Sequence, residues 1–180
     1  MPHARGALVL LALLARQDPD GGIRAPAAWR AVPVRVTSGT HALRLRTPSG
    51  TVGVPIAALH EGHGPTTARV LGAWRDHAGT VVLLDTRAQS RGPGAEMGYC
   101  GAGEERAVAW LDIRRGVVRR QEVVVYASCL RTVEGDVAAD ADSLWGTVDA
   151  YADSTHRTFV FRRAQLLGGL HVRDSMLTLR

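Results

Sequence analysis

The chain has 180 residues and a formal net charge of +5, a length that suits one domain with a single substantial core. Its positive charge comes from arginines, and those beyond the first 20 residues are spread from Arg24 to Arg180, whereas nucleic-acid domains concentrate cations on one face and interleave aromatic residues. The composition therefore argues against a nucleic-acid partner.

The first residues predict a signal peptide at 1–15. His3 and Arg5 give a cationic start, an apolar run reaches Ala15, and a polar stretch follows from Gln17. The run is too short to cross a bilayer, which takes about 20 apolar residues, so no transmembrane span is expected. A buried N-terminal helix is the alternative. Residues 16–31 are interpreted as a linker or arm, and residues 32–180 as a single β-rich domain.

Residues 43–56 predict a β-hairpin with one apolar face and one arginine face. Apolar side chains alternate with arginines in 43–46 and with small residues in 52–56, around a turn at 47–50. The simple register pairs Leu45 with Val52. A bulged register would set the valines against arginines, and the pattern does not choose between the two.

The next two segments predict a helix and a buried strand. Thr66 or Thr67 can cap a helix that places Val70, Leu71 and Trp74 on one side and ends near His77. The apolar run of residues 81–84 is short and well bounded, as in a strand that is buried on both faces.

Two β-rich runs, 106–113 and 117–130, predict a hairpin that carries the two cysteines. If Arg114 and Arg115 form the turn, Cys100 lies across from Cys129. The Cα atoms of directly opposed residues are about 4.5–5.5 Å apart, a distance that permits a disulfide. A bulge at Gly116 would shift this register unless a second bulge restored it. A disulfide, together with the leader, favours a periplasmic or secreted location.

The C-terminal part predicts an acidic irregular segment at 135–154, a strand at 158–162 and a last hairpin or strand at 170–179. The whole pattern predicts an α+β fold, mainly antiparallel β, built as a sandwich or open barrel. We expect seven to nine strands, one or two helices, and one hairpin clasped by a disulfide.

The segment 98–103 resembles the small-residue frame of a nucleophile elbow, with Cys100 in the serine position. Asp149 or Asp153 and His156 or His171 follow in the order of a hydrolase triad. However, an elbow needs a strand before it and a helix after it, and here a Gly/Pro-rich loop precedes and a strand follows. A disulfide cysteine flanked by glycines is the favoured interpretation.

A metal site formed by His60, Glu61, His63 and His77 is the second alternative. The first three residues resemble the start of a zinc motif but lack the helical spacing of HExxH, and the surrounding glycines and proline indicate a loop. We therefore expect no metal, no cofactor and no catalytic residue.

The residues favoured for binding a partner lie on or beside the predicted cysteine hairpin. Aromatic residues and arginines supply most interface energy, and arginines gather at the turn of this hairpin. The candidates are Tyr99, Trp110, Arg114, Arg115 and Arg119. The alternative role of the arginines is to protect an adhesive edge strand from aggregation. The sequence predicts a non-enzymatic domain that binds a protein in the cell envelope, with an envelope hydrolase as the alternative.

One stretch resembles a pattern found in small uncharacterised secreted or periplasmic proteins of Gram-negative bacteria. The stretch runs from Gly98 to Leu130 and combines GYCGAGEE, a strand, a charged turn and ASCL. The resemblance implies a periplasmic β-rich domain with a Cys100–Cys129 disulfide. It implies no activity, and a role as an inhibitor or immunity protein follows from fold-level analogy alone.

Overall fold

The computed structural model describes residues 22–39, 41–60, 66–90 and 103–176. The described chain is built almost entirely from β-strands. The strands are β1 (Arg35–Ser38), β2 (Ala42–Thr47), β3 (Gly50–Pro55), β4 (Thr67–Arg75), β5 (Thr80–Gln89), β6 (Glu104–Arg114), β7 (Val117–Ala127), β8 (Val133–Ala139), β9 (Ser143–Ala150), β10 (Thr155–Arg162) and β11 (His171–Met176). Short 3-10 helices cover Ala27–Trp29, Ile56–Ala58, Tyr151–Asp153 and Arg163–Gly168. None of these helices is long and apolar enough to span a membrane.

The strands form three antiparallel sheets. The N-terminal sheet has the order β1-β2-β3, the central sheet β4-β5-β6-β7, and the C-terminal sheet β11-β10-β9-β8. The predicted mainly antiparallel β architecture is confirmed. The predicted helices are not, because the described residues contain 3-10 turns and no α-helix.

The central sheet lies between the other two sheets. Val82 and Leu84 face a core shared with the N-terminal sheet, whereas Val81 and Leu83 face a core shared with the C-terminal sheet. This double burial explains the continuous apolar run at 81–84, because side chains alternate between the two faces of a strand. The prediction of a strand buried on both faces is confirmed.

The arm before β1 is part of the core. Trp29 is fully buried, packs against Trp74 and Phe161, and donates its indole N–H to the Ala141 carbonyl. Ile23 is also buried within this core. The folded unit therefore includes residues of the segment that is interpreted from the sequence as a linker or arm.

The simple register of the first hairpin is confirmed. Leu43 pairs with Val54 and Leu45 with Val52. The side chains of these four residues face the central sheet, so Arg44 and Arg46 face solvent.

The predicted helix at 66–77 is wrong, since this segment is strand β4. The chain has a β-bulge between Val70 and Gly72, where Leu71 is the extra residue in the ladder. The bulge shifts the alternation, so Leu71 and Trp74 pack in the same core although they are three residues apart. That spacing imitates the period of a helix.

The predicted turn at Arg114 and Arg115 is displaced by one residue. The loop is Arg115–Gly116, and both residues have positive φ angles of 53° and 75°, as a tight hairpin turn requires. Two further irregularities shift the register, and the ladder ends at Arg106 and Ala127. The simple register on which the predicted cysteine pairing depends is therefore wrong, and Cys100 itself lies outside the described residues.

The acidic segment at 135–154 is regular rather than irregular. It forms most of β8 and all of β9, which pair from Val133–Ala150 to Ala139–Leu144. Val137, Leu144 and Val148 point into the core. The acidic side chains lie on the solvent side or in turns, which leaves only a sparse apolar pattern in the sequence.

Candidate functional site

Buried polar residues gather at one end of the central sheet. They come from the start of β4, the end of β5, the start of β6, the segment after β7 and the segment after β3. These buried polar residues lie on the face toward the N-terminal sheet or at the ends of strands. They are His60, Thr66, Thr86, Ser90, Glu105 and Ser128. Buried polar groups normally have hydrogen-bond partners.

Glu105 is buried and acts as an acceptor. Ser90 donates its hydroxyl to Glu105 Oε1 at 2.5 Å, and the Leu130 backbone N–H approaches the same oxygen at 3.4 Å. The Ser90 N–H also bonds to the Gly103 carbonyl at 2.9 Å. These contacts tie the end of β5 to the start of β6.

His60 is only 4% exposed, and neither of its ring nitrogens has a hydrogen-bond partner within the described ranges. Burial lowers the pKa of His60 to about 4, although the nearby charge of Glu105 opposes this shift. The imidazole is therefore neutral at pH 7. Thr66 is fully buried, and its hydroxyl likewise has no partner among the described residues.

The possible metal site is only partly described. Glu61 and His63 lie outside the described residues, His60 is buried and His77 is exposed. Among the residues that the structure does describe, no three His, Cys, Asp or Glu side chains are grouped to hold a metal ion.

A second buried carboxylate lies on the opposite face of the same sheet end. Asp85 is 2% exposed, accepts a hydrogen bond from the Tyr126 hydroxyl at 2.8 Å and forms an ion pair with Arg69 at 3.4 Å. Arg69 also donates to the carbonyl of Ile23 in the arm. This network joins β4, β5, β7 and the arm, and its contacts are those of a structural element.

Two of the predicted partner-binding residues are committed to the fold. Trp110 is fully buried and donates its indole N–H to the Leu166 carbonyl at 3.0 Å, so it cannot contact a partner at the surface. Its position on the central strand β6 explains this correction. Arg114 donates to both oxygens of Asp112 and forms an ion pair with Asp76, which limits its availability.

Of the remaining predicted residues, Arg115 is exposed in the β6–β7 turn and Arg119 is exposed near the start of β7. Tyr99 and Cys100 lie outside the described residues. Cys129 follows β7, and no cysteine among the described residues is a free thiol. The pairing of Cys129 with Cys100 stays a prediction.

The solvent side of the N-terminal sheet carries an arginine face, which we define as Arg35, Arg44 and Arg46. Arg35 on β1 lies directly opposite Arg46 on β2, and Arg44 is on the same side of β2. All three are exposed, and no ion pair to them occurs among the described residues. Like charges in directly opposed positions destabilise a sheet, so local stability does not explain this arrangement.

Charge is segregated along the chain as well as on the sheet. Residues 21–60 include five arginines and no acidic residue, whereas the other 140 residues have 17 arginines and 17 acidic residues. The whole formal net charge of +5 therefore resides in the segment that forms the N-terminal sheet and its flanks. Sequence reasoning recognised an arginine face on this hairpin but did not identify it as a candidate site.

The solvent side of the C-terminal sheet brings together two residues considered for a hydrolase triad. His156 Nδ1 lies 2.6 Å from Asp149 Oδ1, and Ser175 is the direct cross-strand neighbour of His156 on the other side. The Ser175 hydroxyl donates to the His156 backbone carbonyl at 3.2 Å rather than to its ring. Sequence reasoning had no signal for Ser175, because the row depends on the register of β11.

No family model, curated protein or solved structure matches this chain.

Proposed function

We propose that this chain is a non-enzymatic periplasmic domain, of the inhibitor or immunity-protein kind, that binds an acidic protein through its arginine face. The observation that carries the proposal is the direct opposition of Arg35 and Arg46 beside Arg44, with no acidic residue on any strand of the sheet. An acidic partner removes the repulsion among these side chains and gains charge-assisted hydrogen bonds to the guanidinium groups.

The chemistry of the surface favours a protein over a nucleic acid. Besides the arginines, the solvent side of this sheet presents small residues such as Thr37, Thr51 and Gly53, and no aromatic side chain. Aromatic platforms for stacked bases are usual where single-stranded nucleic acid binds, and long basic stripes are usual on duplex binders. Three arginines on a short sheet match a compact acidic patch.

The tip of the β6–β7 hairpin extends this surface. Gly50 at the β2–β3 turn lies against Gly116, since a Cβ added at Gly50 would be 3.4 Å from the Gly116 Cα. The exposed Arg115 is therefore next to the end of the N-terminal sheet. This contact supports keeping Arg115 among the proposed partner-binding residues, next to the arginine face.

The proposed periplasmic location rests on the predicted leader at 1–15 and on the predicted cysteine pair. The described part of the chain holds no free thiol, as expected of a protein from an oxidising compartment. A β-domain closed by the predicted disulfide would also be a suitable rigid scaffold for a binding surface.

The proposal is tested by comparing two double variants of equal net charge. Arg44→Gln/Arg46→Gln alters the arginine face, and Arg75→Gln/Arg163→Gln alters exposed arginines elsewhere. Immobilised wild-type protein should retain a stoichiometric acidic partner from periplasmic extract, in a salt-sensitive manner. The first variant should bind that purified partner at least about tenfold more weakly, whereas the control should match wild type.

Two outcomes would reject the proposal. One is equal weakening by both variants, which would indicate a general effect of net charge. The other is the absence of any partner, with stronger wild-type binding to duplex DNA or to anionic vesicles than to a peptide of ten glutamates.

A second candidate function, hydrolysis of an ester, is favoured by one observation, the 2.6 Å contact between His156 and Asp149 beside Ser175. In this scheme Ser175 Oγ attacks the ester carbonyl carbon, and its proton passes to His156 Nε2 and then to the departing alkoxide. Water then hydrolyses the acyl-serine by the same proton path. Ser175 must first rotate away from the His156 carbonyl.

Covalent labelling by a fluorophosphonate separates this candidate from a binding protein. Labelling that is lost in Ser175→Ala and His156→Gln, but not in Ser143→Ala, would support a hydrolase. Absence of labelling in wild-type protein would eliminate it.

A further inference from the structure

A groove on the solvent side of the C-terminal sheet has a volume of about 700 Å³. This size is within the range of about 300–1,000 Å³ that is typical of ligand sites. The central sheet separates this groove from the arginine face, because the N-terminal and C-terminal sheets pack on its opposite sides. The groove is therefore independent of the proposed function.

The register of the sheet fixes the layout of the groove. Val160 on β10 is flanked by Trp145 on β9 and His171 on β11 in one cross-strand row. The next row along β10 holds Thr147, Thr158 and Arg173, and Arg162 lies on the other side of Val160. From strand rise and spacing, the Cα atoms of Arg162 and Arg173 are about 14 Å apart.

The charge of the groove has one sign. Arg162, His171 and Arg173 line it, and no acidic residue is among the described lining residues. Neither arginine forms an ion pair within the described ranges. Arg157 provides a contrast, since it donates to both oxygens of Asp174 at 2.7 and 2.9 Å and is neutralised. Arg162 and Arg173 thus remain as exposed cations at two ends of one groove.

The neutral lining suits a ligand with rings and hydroxyl groups. The half-buried indole of Trp145 offers an apolar surface beside Val160, and Thr147, Thr158 and Gln165 add hydroxyl and amide groups. A sugar ring presents both C–H faces and hydroxyls. Two cations at separate ends of the groove require that the ligand carry negative charge at more than one place along its length.

We propose that this groove binds an acidic glycan, a chain of sugar rings that carry carboxylates, with Arg162 and Arg173 each engaging a carboxylate and Trp145 contacting a ring. Guanidinium groups suit this role because they bind carboxylates in a bidentate manner. The spacing of the arginines favours an oligosaccharide over a single uronic acid.

The test is calorimetric titration of the full folded protein with tetragalacturonate, galacturonic acid and the neutral maltotetraose. Tetragalacturonate should bind saturably with a Kd below about 1 mM, and the other two sugars at least about tenfold more weakly. Arg162→Gln and Arg173→Gln should each weaken tetragalacturonate binding about tenfold. Trp145→Phe should retain binding better than Trp145→Ala.

The control variant is Arg75→Gln, which alters an exposed arginine of β4 outside the groove and should bind tetragalacturonate as wild type does. Thermal unfolding of each variant confirms that it is folded before binding is measured. Equal affinity for maltotetraose, equal weakening by the control variant, or no saturable binding of tetragalacturonate below 1 mM would overturn the proposal.

Discussion

Tyr126 donates its hydroxyl to Asp85 over 2.8 Å, and both side chains are almost completely buried at one end of the central sheet. Tyr126 is also the extra residue where the β6–β7 register shifts between Arg106 and Ala107. The bulge turns the Tyr126 side chain toward Asp85 on β5, across the intervening strand β6. A local irregularity in one strand thus satisfies a buried carboxylate on another.

Replacing Tyr126 by phenylalanine should lower the free energy of unfolding by about 1–3 kcal/mol, because the buried carboxylate of Asp85 loses a hydrogen bond. Chemical denaturation measures this change. Tyr151→Phe is the matched control, since Tyr151 is 44% exposed, and it should change stability by less than about 0.5 kcal/mol. Equal effects of the two substitutions would contradict a stabilising role for the Tyr126–Asp85 bond.

The same bond predicts a loss of stability at alkaline pH. Burial raises the pKa of Tyr126 above its usual value of 10.0, and the charge of Asp85 adds to the shift. Above pH 10 the unfolded chain therefore loses this proton before the folded chain does, so stability falls as the pH rises. Unfolding measured from pH 8 to 11 should show this slope in wild type and a smaller slope in Tyr126→Phe.

His60 predicts a loss of stability at mildly acidic pH. Its pKa is about 4 in the folded protein and 6.5 as the ordinary value, so the unfolded chain binds one more proton between these pH values. The contribution of neutral His60 to the free energy of unfolding should be fully present above pH 6.5, and the free energy of unfolding should fall by about 3 kcal/mol as the pH drops to 4. Denaturation across this range measures the slope.

Substitution of His60 tests whether its protonation, rather than a general effect of acid, causes this loss of stability. His60→Leu removes two ring nitrogens without partners among the described residues, so stability at pH 7 should be kept or raised and the slope below pH 6.5 reduced. His41→Gln is the control at an exposed histidine. If the His41 variant changed the slope as much as the His60 variant, titration of His60 would not be its source.

Trp110 is a core residue and Arg119 is a surface residue of the same hairpin, so their substitution should have different effects on stability. Trp110→Ala should cost about 3–5 kcal/mol, because it empties a fully buried site and removes the ring over which Arg120 lies at 5.2 Å. Arg119→Ala should change stability by less than about 0.5 kcal/mol. A small effect at Trp110 would contradict its burial and restore its possible role at an interface.

The sequence predicts local pairing well where one face of a hairpin is apolar. Leu43 and Leu45 alternate with arginines. With a turn at 47–50, the simple register of the hairpin keeps all of its apolar residues on one face. The run at 81–84 also predicts its own environment, because only a strand between two layers needs apolar residues at consecutive positions. Both cases depend on interactions within a few residues.

The sequence fails where bulges and long-range pairing decide. The bulge at Leu71 creates a helix-like spacing, and the irregularities in the β6–β7 ladder change the register on which the predicted cysteine pairing depends. The strands at 133–150 are sparse in apolar residues because only one of their faces is buried. The groove residues meet only through the pairing of β9, β10 and β11, which no local pattern indicates.

A disulfide between Cys100 and Cys129 predicts resistance to alkylation and a loss of stability on reduction. Because the β6–β7 ladder ends at Ala127, a Cys100–Cys129 bond would join the segment after β7 to a segment before β6 rather than two opposed ladder residues. We expect the native protein to resist alkylation without a reductant and to be alkylated at both cysteines after reduction. Reduction should lower stability by about 3 kcal/mol, the value expected for a loop of about 30 residues. Cys100→Ser/Cys129→Ser should match the reduced protein, and alkylation of Cys129 in the unreduced protein would refute the bond.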